Sequence, residues 1–263
     1  KNNINKIKKF TVCLLALSVS QALAADEEND KKGLDFERIA VTGVVKGKNV
    51  MDSSVSISSV DLSSIEVATP RTTAEIFRLI PGVRSEATGG EGNANIAVRG
   101  LPVASGGAKF LQLQEDGLPV LQFGDIAFGN ADIFLRADST VSSVESIRGG
   151  SASTLASNSP GGIINLISKT GEDDGGSVAT TFGVDYHSFK TDFKYGTEIN
   201  DTLRFHVGGF VRQGDGPRDA GYTANKGGQI KANITKDFDS GYVRLYFKHL
   251  DDNSIGYLPM PVR

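Results

Sequence analysis

Apolar and polar side chains alternate through the last third of the chain, beginning at Ser177. Odd–even alternation is typical of β-strands that have one apolar and one polar face. Five such segments follow one another, and each has about ten residues, the length that a tilted strand needs to cross a bilayer. The apolar faces carry Val178, Phe182, Val184, Tyr186, Phe189, Phe193, Tyr195, Phe205, Val207, Val211, Ile230, Ile234, Val243, Leu245 and Phe247. The opposite faces carry Lys190, Asp192, Lys194, Arg204, His206, Arg212, Lys231, Asn233, Arg244, Tyr246 and Lys248.

A soluble β-sandwich also alternates in this way, and it is the better interpretation of any single strand. Five segments in succession favour a barrel, because several full charges per strand suit a water-filled lumen. The connections also differ in length, as they do in outer-membrane barrels. Asn200-Asp201 and Asp237–Gly241 predict tight turns, whereas Gln213–Lys226 is a long loop rich in Gly and Asp.

Residues 70–170 have the mixed pattern of a compact α+β domain. Thr72-x-x-Glu75 is a capping box, and it predicts a helix that ends at Pro81-Gly82. Asp116-Gly117 supplies the positive φ angles that a tight hairpin turn requires. Further predicted elements are strands at Ser143–Arg148 and Ile163–Ile167 and a short helix at Ser151–Ser157.

The N-terminus predicts export. Lysines precede an apolar stretch, Phe10–Val19, and Ala22-Leu23-Ala24 fits a signal-peptidase site, so we expect a signal peptide over residues 1–24. The apolar stretch is too short for a membrane helix, which needs ~20 residues. Cys13, the only cysteine, lies inside this segment, so residues 25–263 contain no thiol or disulfide.

Residues 25–69 have the composition of a flexible tether. The charged run Ala25–Asp35 lacks apolar periodicity and is expected to be disordered. A short β-prone stretch, Phe36–Gly43, follows it. Seven serines between Ser53 and Ser64 then predict a soluble, loosely structured segment.

The net charge and the lack of catalytic or metal-binding motifs disfavour several classes of function. Removal of the signal peptide leaves 24 basic and 31 acidic residues, a net charge of −7, which disfavours a nucleic-acid partner. The sequence has no Gly-x-Ser-x-Gly, His-Glu-x-x-His or Walker motif, and His187, His206 and His249 are too dispersed for a metal site. Asp237-x-Asp239-x-Gly241 lacks the later glutamate of a calcium loop. We therefore expect neither an enzyme nor a cofactor.

Five short motifs follow one another along the chain: Ile80-Pro81-Gly82-Val83, Val98-Arg99-Gly100, Asp116-Gly117-Leu118-Pro119-Val120, Val144–Ala152 and Gly161–Lys169. Their order is that of the TonB-dependent receptors, the plugged outer-membrane transporters, and the mature chain resembles this family over essentially its whole length. Two positions depart from the family. Arg148-Gly149-Gly150 stands where Arg-Gly-Pro is common, and Ala156-Ser157 stands where an aromatic–glycine pair is common.

The resemblance implies an α+β plug domain, residues 70–170, followed by antiparallel transmembrane strands of a 22-stranded type of barrel in residues 177–263. The roughly 90 residues after Gly171 are too few for a barrel that encloses a plug, so we expect a fragment. The implied protein lies in the bacterial outer membrane, contacts lipid, and imports a scarce or bulky ligand with energy from TonB. Ferric siderophores, cobalamin, haem and oligosaccharides all stay open as ligands. The alternative is a secreted soluble β-rich binding protein.

The resemblance also implies three groups of functional residues. The TonB box, which TonB grips by strand pairing, corresponds to Glu37, Arg38, Ile39, Ala40, Val41, Thr42 and Gly43. Arg99, Glu145 and Arg148 are charges in otherwise buried segments, and arginines of these motifs pair with acidic groups of the plug or the barrel wall. Loops 101–109 and 122–136 are expected to face the ligand. Their contact residues are Lys109, Gln122, Phe123, Asp125, Phe128 and Asn130; Phe123, Phe128 and Phe134 suit ligand stacking and plug core equally.

Overall fold

A computed structural model of the chain describes residues 39–40, 48–49, 56–87, 90–92, 94–101, 110–120, 131–149, 152, 156, 159–216 and 218–257. These residues all belong to one compact unit, residues 37–263. No helix within the described ranges has the length and apolar character needed to cross a membrane.

Two five-stranded sheets account for most of the described residues. In chain order the elements are β1 (Ile39–Ala40), β2 (Lys48–Asn49), β3 (Ile57–Asp61), α1 (Leu62–Ala68), α2 (Thr73–Phe77), β4 (Val83–Glu86), β5 (Asn95–Val98), β6 (Leu111–Glu115), β7 (Leu118–Pro119), a 3-10 helix (Ala131–Phe134), β8 (Val141–Arg148), β9 (Gly162–Ser168), β10 (Gly175–Gly183), β11 (Ser188–Asn200), β12 (Leu203–Gly214), β13 (Asn225–Phe238) and β14 (Gly241–Asn253).

The first sheet has the order β3-β8-β9-β6-β7 and forms the centre of the plug. Its neighbouring strands are antiparallel except β6 and β9, which are parallel. The strand predicted at Ile163–Ile167 is confirmed as the central β9, buried along nearly its whole length. The core around it includes Phe77, Leu113, Val144, Ile164 and Leu166, each at most 1% exposed. This core packs the two helices and the β4–β5 pair against the sheet.

The predicted helix start at Thr72 and the predicted hairpin are confirmed. The capping box is only half formed, because the Glu75 carboxylate accepts from the Arg71 amide at 2.7 Å instead of the Thr72 amide. The prediction that the helix continues to Pro81-Gly82 is wrong, since α2 ends at Phe77. Thr72 is the N-cap of α2, and its hydroxyl oxygen accepts a hydrogen bond from the Glu75 amide at 3.3 Å. The first backbone amides of a helix have no partner within the helix, so this hydrogen bond stabilises a helix that starts at this position. At the hairpin, Asp116 and Gly117 have φ angles of 53° and 81°, the pair of positive values that a two-residue turn needs.

The structure corrects the prediction that residues 53–64 are loosely structured. Ile57–Asp61 is an edge strand of the plug sheet, and Asp61 caps α1 by accepting a hydrogen bond from the Ser64 amide at 2.9 Å. The ordering comes from a few apolar residues, Ile57, Val60 and Ile65, which are all buried. Compact structure therefore begins before residue 70. Of the helix predicted at Ser151–Ser157, only residues 152 and 156 lie within the described ranges.

The second sheet, which we call the wall, consists of β10 to β14 in chain order, each antiparallel to the next. Its connections are turns at 184–187, 201–202 and 239–240 and a longer stretch at 215–224. The five predicted strands are confirmed, but Val184 and Tyr186 lie in a turn rather than a strand. Pairing of Gly183 with Ser188 closes that turn, although the alternation continues through it.

The two faces of the wall differ as the sequence predicts. Side chains on the apolar face are exposed, for example Val178, Phe182 and Leu245 at 61%, 68% and 66%. Polar side chains of the other face, such as Lys231 and Asn233, are buried against the plug. The alternation therefore separates an exposed apolar surface from a polar one that holds the plug.

Candidate functional site

The polar interface between the plug and the wall is the candidate site, and its centre is Glu115. This residue ends β6, directly before the hairpin turn. Its carboxylate oxygens lie 2.8 Å from the Lys231 ammonium on β13 and 2.7 Å from the Lys248 ammonium on β14. Burial acts to raise the pKa of Glu115, but the two ammonium groups outweigh it and lower that pKa. Glu115 is therefore charged at neutral pH and bridges two lysines of the wall.

Plug groups also complete the bonding of these lysines. Lys231 donates to the Ser168 hydroxyl oxygen at 2.8 Å, and Lys248 donates to the Phe134 carbonyl oxygen at 2.8 Å. Both acceptors belong to the plug. Each lysine is thus held by two separate plug segments, which fixes the hairpin against two neighbouring strands.

A second contact is a buried group of four charges, which we call the charge quartet: Glu91 and Arg136 of the plug and Arg212 and Asp252 of the wall. Asp252 accepts from Arg136 at 2.6 Å and from two nitrogens of Arg212 at 2.8 and 2.5 Å. Glu91 pairs with the remaining terminal nitrogen of Arg212. All four side chains are at most 11% exposed. Two cations and two anions balance each other, which is what allows charges to be buried.

A glycine makes the wall half of the charge quartet possible. Gly227 on β13 is opposite Arg212 on one side and opposite Asp252 on the other. A Cβ atom at Gly227 would lie 2.4 Å from the Asp252 Cα atom. Because glycine has no Cβ atom, the side chains of Arg212 and Asp252 can meet over Gly227, on the strand that lies between them.

Single hydrogen bonds outside the ion pairs continue the interface along the wall. The Gln229 amide donates to Asp138 at 2.6 Å, the Asn233 amide donates to the Lys169 carbonyl oxygen at 2.8 Å, and the Lys190 ammonium donates to the Ala137 carbonyl oxygen at 2.7 Å. Burial, with a contribution from Lys194, lowers the pKa of Lys169 to about 8. The wall thus binds the plug through inward polar groups on several strands.

A cavity of about 460 Å³ lies beside the Glu115 clamp, between the hairpin and the wall. Its lining joins plug and wall residues: Glu115, Asp116, Leu118, Phe134, His206, Lys231, Asn233, Tyr246, Phe247 and Lys248 among them. His206 Nε2 and Asn233 Oδ1 are buried atoms for which the described residues supply no hydrogen-bond partner. The wall side of the cavity combines polar residues such as Lys231 and Tyr246 with the apolar residues Ala232, Phe247 and Leu250.

Comparison with known families agrees with this arrangement. Residues 49–163 match the family model of the TonB-dependent receptor plug domain. The chain contains a TonB-dependent receptor plug domain. This family and the wall strands confirm the predicted fold class, and with it the predicted outer-membrane location. A comparison with curated protein sequences gave no significant match.

Solved receptor structures share the fold of plug and wall together. The alcaligin outer-membrane receptor FauA of Bordetella pertussis has a TM-score of 0.61 at 16% identity, over 82% of this chain and 35% of its own. The pyoverdine receptor FpvA of Pseudomonas aeruginosa has a TM-score of 0.61 at 17% identity, over 76% and 28%. The ferric yersiniabactin receptor FyuA of Yersinia pestis has a TM-score of 0.55 at 20% identity, over 70% and 29%. The matched region is thus about a third of each receptor.

The predicted locking charges of the plug domain include two arginines with partners within the plug. Arg148 donates to the Pro81 carbonyl oxygen and, at 2.5 Å, to the Ser58 hydroxyl oxygen, and Arg99 donates to the Ser56 hydroxyl oxygen at 3.0 Å. Burial and the neighbouring Arg99 lower the pKa of Arg148. Glu145 is buried on β8. The three acceptors of the two arginines are a backbone carbonyl oxygen and two serine hydroxyl oxygens. A locking role of Arg99, Glu145 and Arg148 stays a prediction.

Other predicted residues lie beyond the described ranges. Lys109, Gln122, Phe123, Asp125, Phe128 and Asn130 are all outside the described residues. Of the predicted TonB box, only Ile39 and Ala40 are described, as a short strand paired with Lys48–Asn49. Phe134 is described; it is 46% exposed and lines the cavity.

Sequence reasoning placed Arg212, Lys231 and Lys248 on the charged face but missed their partners. Glu115 and Lys231 are 116 residues apart, and Glu91 and Arg212 are 121 apart. The only local signal was the position of Glu115 directly before the Asp-Gly turn. No spacing rule relates residues at such separations, so the pairs required the structure.

Proposed function

We propose that the chain is part of an outer-membrane receptor that imports ferric siderophores with energy supplied through TonB. The observation that carries the proposal is the plug domain bound to the inward polar face of strands whose outward face is apolar and exposed. A seated plug of this kind blocks the lumen, so import requires work to displace it. The plug family is one of receptors, which also argues against an enzyme.

Siderophores are favoured over the other ligand classes by the proteins that share the fold. The three receptors named above take up or bind alcaligin, pyoverdine and ferric yersiniabactin, as their names state. None of the three is named as a receptor for cobalamin, haem or an oligosaccharide. Loop 101–109 and the part of loop 122–136 that precedes residue 131 are our proposed ligand-facing surface, with Lys109, Gln122, Phe123, Asp125, Phe128 and Asn130 as its contact residues. Asp132, Leu135 and Arg136 are buried and are not part of this surface.

Coupling to TonB is proposed to act through the tether. Residues 25–56 precede the first strand of the plug sheet and contain the box, Glu37–Gly43. An extended segment can add as a strand to a partner's sheet edge, where backbone hydrogen bonds carry a pulling force. The force then reaches the plug through β3, whose pairing with β8 covers five residues. Arg99, Glu145 and Arg148 are proposed to hold the plug until that force arrives.

Deletion of the box tests the proposal directly. In the complete receptor, loss of Glu37–Gly43 is expected to abolish uptake of iron from siderophores while surface binding is retained. A matched control is deletion of Glu27–Gly33, which removes the same length of tether from the charged run. Uptake and binding are measured separately with radioactive iron under iron limitation. Normal uptake after the box deletion, or equal loss with both deletions, would contradict the coupling.

A further inference from the structure

Two lysines of the wall face each other in a way that a sheet does not favour. Lys231 and Lys248 are direct cross-strand partners on β13 and β14. Like charges directly opposite each other destabilise an antiparallel pair. Both side chains point to the plug side, and they are only 9% and 26% exposed, so water screens their repulsion poorly. The pair therefore requires an anion.

The plug supplies that anion. Within the described residues, the ion pairs of Lys231 and Lys248 are both made with Glu115, one to each carboxylate oxygen. The seated plug is thus the counterion of this part of the wall.

Glu115 ends β6, which pairs with the edge strand β7 on one side and with the central strand β9 on the other. The pairing with β7 covers Gln114 with Pro119 and Glu115 with Leu118, whereas the turn is also bonded to β9, because Asp116 accepts from the Ser168 amide at 2.7 Å. The hairpin therefore moves together with the strands that hold it. The cavity of about 460 Å³ borders the hairpin and both lysines. Space for a group larger than a carboxylate is therefore already present beside the two ammonium groups.

We propose that Lys231 and Lys248 form an anion-binding site of the wall, which Glu115 fills while the plug is seated and an anionic group of the imported solute fills when the hairpin leaves. The inference rests on the proposed import function, and adds that the solute is anionic. Two adjacent ammonium groups, one buried and one half-buried, are costly without a counterion. We call the state in which the hairpin has left the lysines the open state. A solute that binds the lysines only in the open state stabilises it relative to the seated state, by an amount set by the difference in the solute's affinity for the two states.

Citrate titration of purified complete receptor tests whether the site exists. Glu115→Gln removes the negative charge of the plug from the site and keeps both lysines, whereas the matched variant Glu115→Gln/Lys231→Gln/Lys248→Gln removes the lysine charges as well. At constant ionic strength, Glu115→Gln is expected to bind citrate about tenfold more tightly than the wild type, and the triple variant is not. Calorimetry measures the affinity, and heat-modifiable gel migration confirms that all three barrels are folded. Equal citrate affinity of Glu115→Gln and the triple variant would overturn the proposal.

Efflux from vesicles tests whether the site acts in passage. Ion pairs that only lock the hairpin predict the same effect from removal of either partner. An anion site predicts that anions pass preferentially when the lysines are free. The ratio of carboxyfluorescein efflux to efflux of uncharged raffinose is then expected to be about fivefold higher for Glu115→Gln than for Lys231→Gln/Lys248→Gln. Equal ratios, including no efflux from either variant, would overturn the passage role. Neither vesicle nor citrate results depend on iron uptake, so failure of the proposed import function is recognised separately.

Discussion

The plug sheet and the wall are both five-stranded, yet they place apolar side chains in opposite positions. In the plug, Leu113 and Ile164 are fully buried at 0% exposure. In the wall, Leu245 and Phe247 are 66% and 58% exposed, while Lys231 of the same sheet is 7% exposed. Exposed apolar area of this extent is unfavourable in water and rare on soluble proteins. The plug is thus built for polar surroundings, and the wall for an apolar environment outside and polar groups inside.

This difference determines what can hold the two regions together. Since both surfaces that meet are polar, the contact consists of ion pairs and hydrogen bonds such as the charge quartet. Polar groups that separate recover hydrogen bonds with water, whereas separated apolar surfaces do not. A polar interface can therefore be specific at rest and still permit movement of the plug.

The largest effect is expected from breaking the charge quartet. Asp252→Asn removes the anion that two arginines share and leaves a buried uncompensated cation, at an expected cost of about 3–5 kcal/mol in plug attachment. The measurement is the urea concentration at which the plug of the complete receptor becomes sensitive to protease. Asp251→Asn, at the exposed neighbouring position, is the matched control and is expected to have no effect. Equal sensitivity of the two variants would show that the charge quartet does not attach the plug.

An outward substitution is expected to have the next largest effect. Leu245→Arg places a charge on the exposed apolar face, which costs up to ~2–4 kcal/mol where that face meets the bilayer interior. Leu245→Phe keeps the position apolar and is the control. Unfolding of the receptor in lipid vesicles measures the free energy difference. Equal stability of the two variants would mean that this face does not contact lipid.

The smallest effect is expected at Asp132 in the plug. One carboxylate oxygen accepts from the Ala94 amide at 3.0 Å, and the other is buried without a partner among the described residues. Burial raises the pKa of Asp132 from 3.8 to about 6. The folded plug therefore binds this proton more tightly than the unfolded chain, and stability present below pH 4 is lost as the pH rises through 6.

Asp132→Asn mimics the protonated form and is expected to remove this pH dependence, raising plug stability at pH 7.5 by ~1–3 kcal/mol. Hydrogen exchange of plug amides at pH 4.5 and 7.5 measures it, after correction for the intrinsic exchange rate. Asp185→Asn, in an exposed turn, is the control. The same pH dependence in Asp132→Asn as in the wild type would contradict the assignment.

Local patterns predicted the parts of the fold that depend on local causes. Alternation revealed the wall strands because a period of two residues fixes which face each side chain takes. Thr72 and Asp116-Gly117 predicted a helix start and a turn because each acts within a few residues. By contrast, Ile57 and Val60 were hidden among serines, since an edge strand needs few apolar residues. Phe210 is an exception to the alternation, because it is an apolar residue on the inward, polar face of the wall. It is 1% exposed, and the charged groups of Lys190 and Arg212 lie over its ring.

The central claim is that β14 and its neighbours have lipid on one face and the plug on the other. Spin labels at single cysteines, introduced into a complete receptor that has no other cysteine, test it most directly; residues 25–263 contain none of their own. Labels are placed in turn at Val243, Arg244, Leu245, Tyr246, Phe247 and Lys248 of the complete receptor in vesicles. At 243, 245 and 247 we predict labels that are accessible to oxygen, which partitions into lipid, and inaccessible to a water-soluble nickel chelate. At 244, 246 and 248 we predict labels that are either accessible to the nickel chelate rather than to oxygen or protected from both reagents by the plug. Nickel-chelate access at the odd positions equal to that at the even ones would contradict the account.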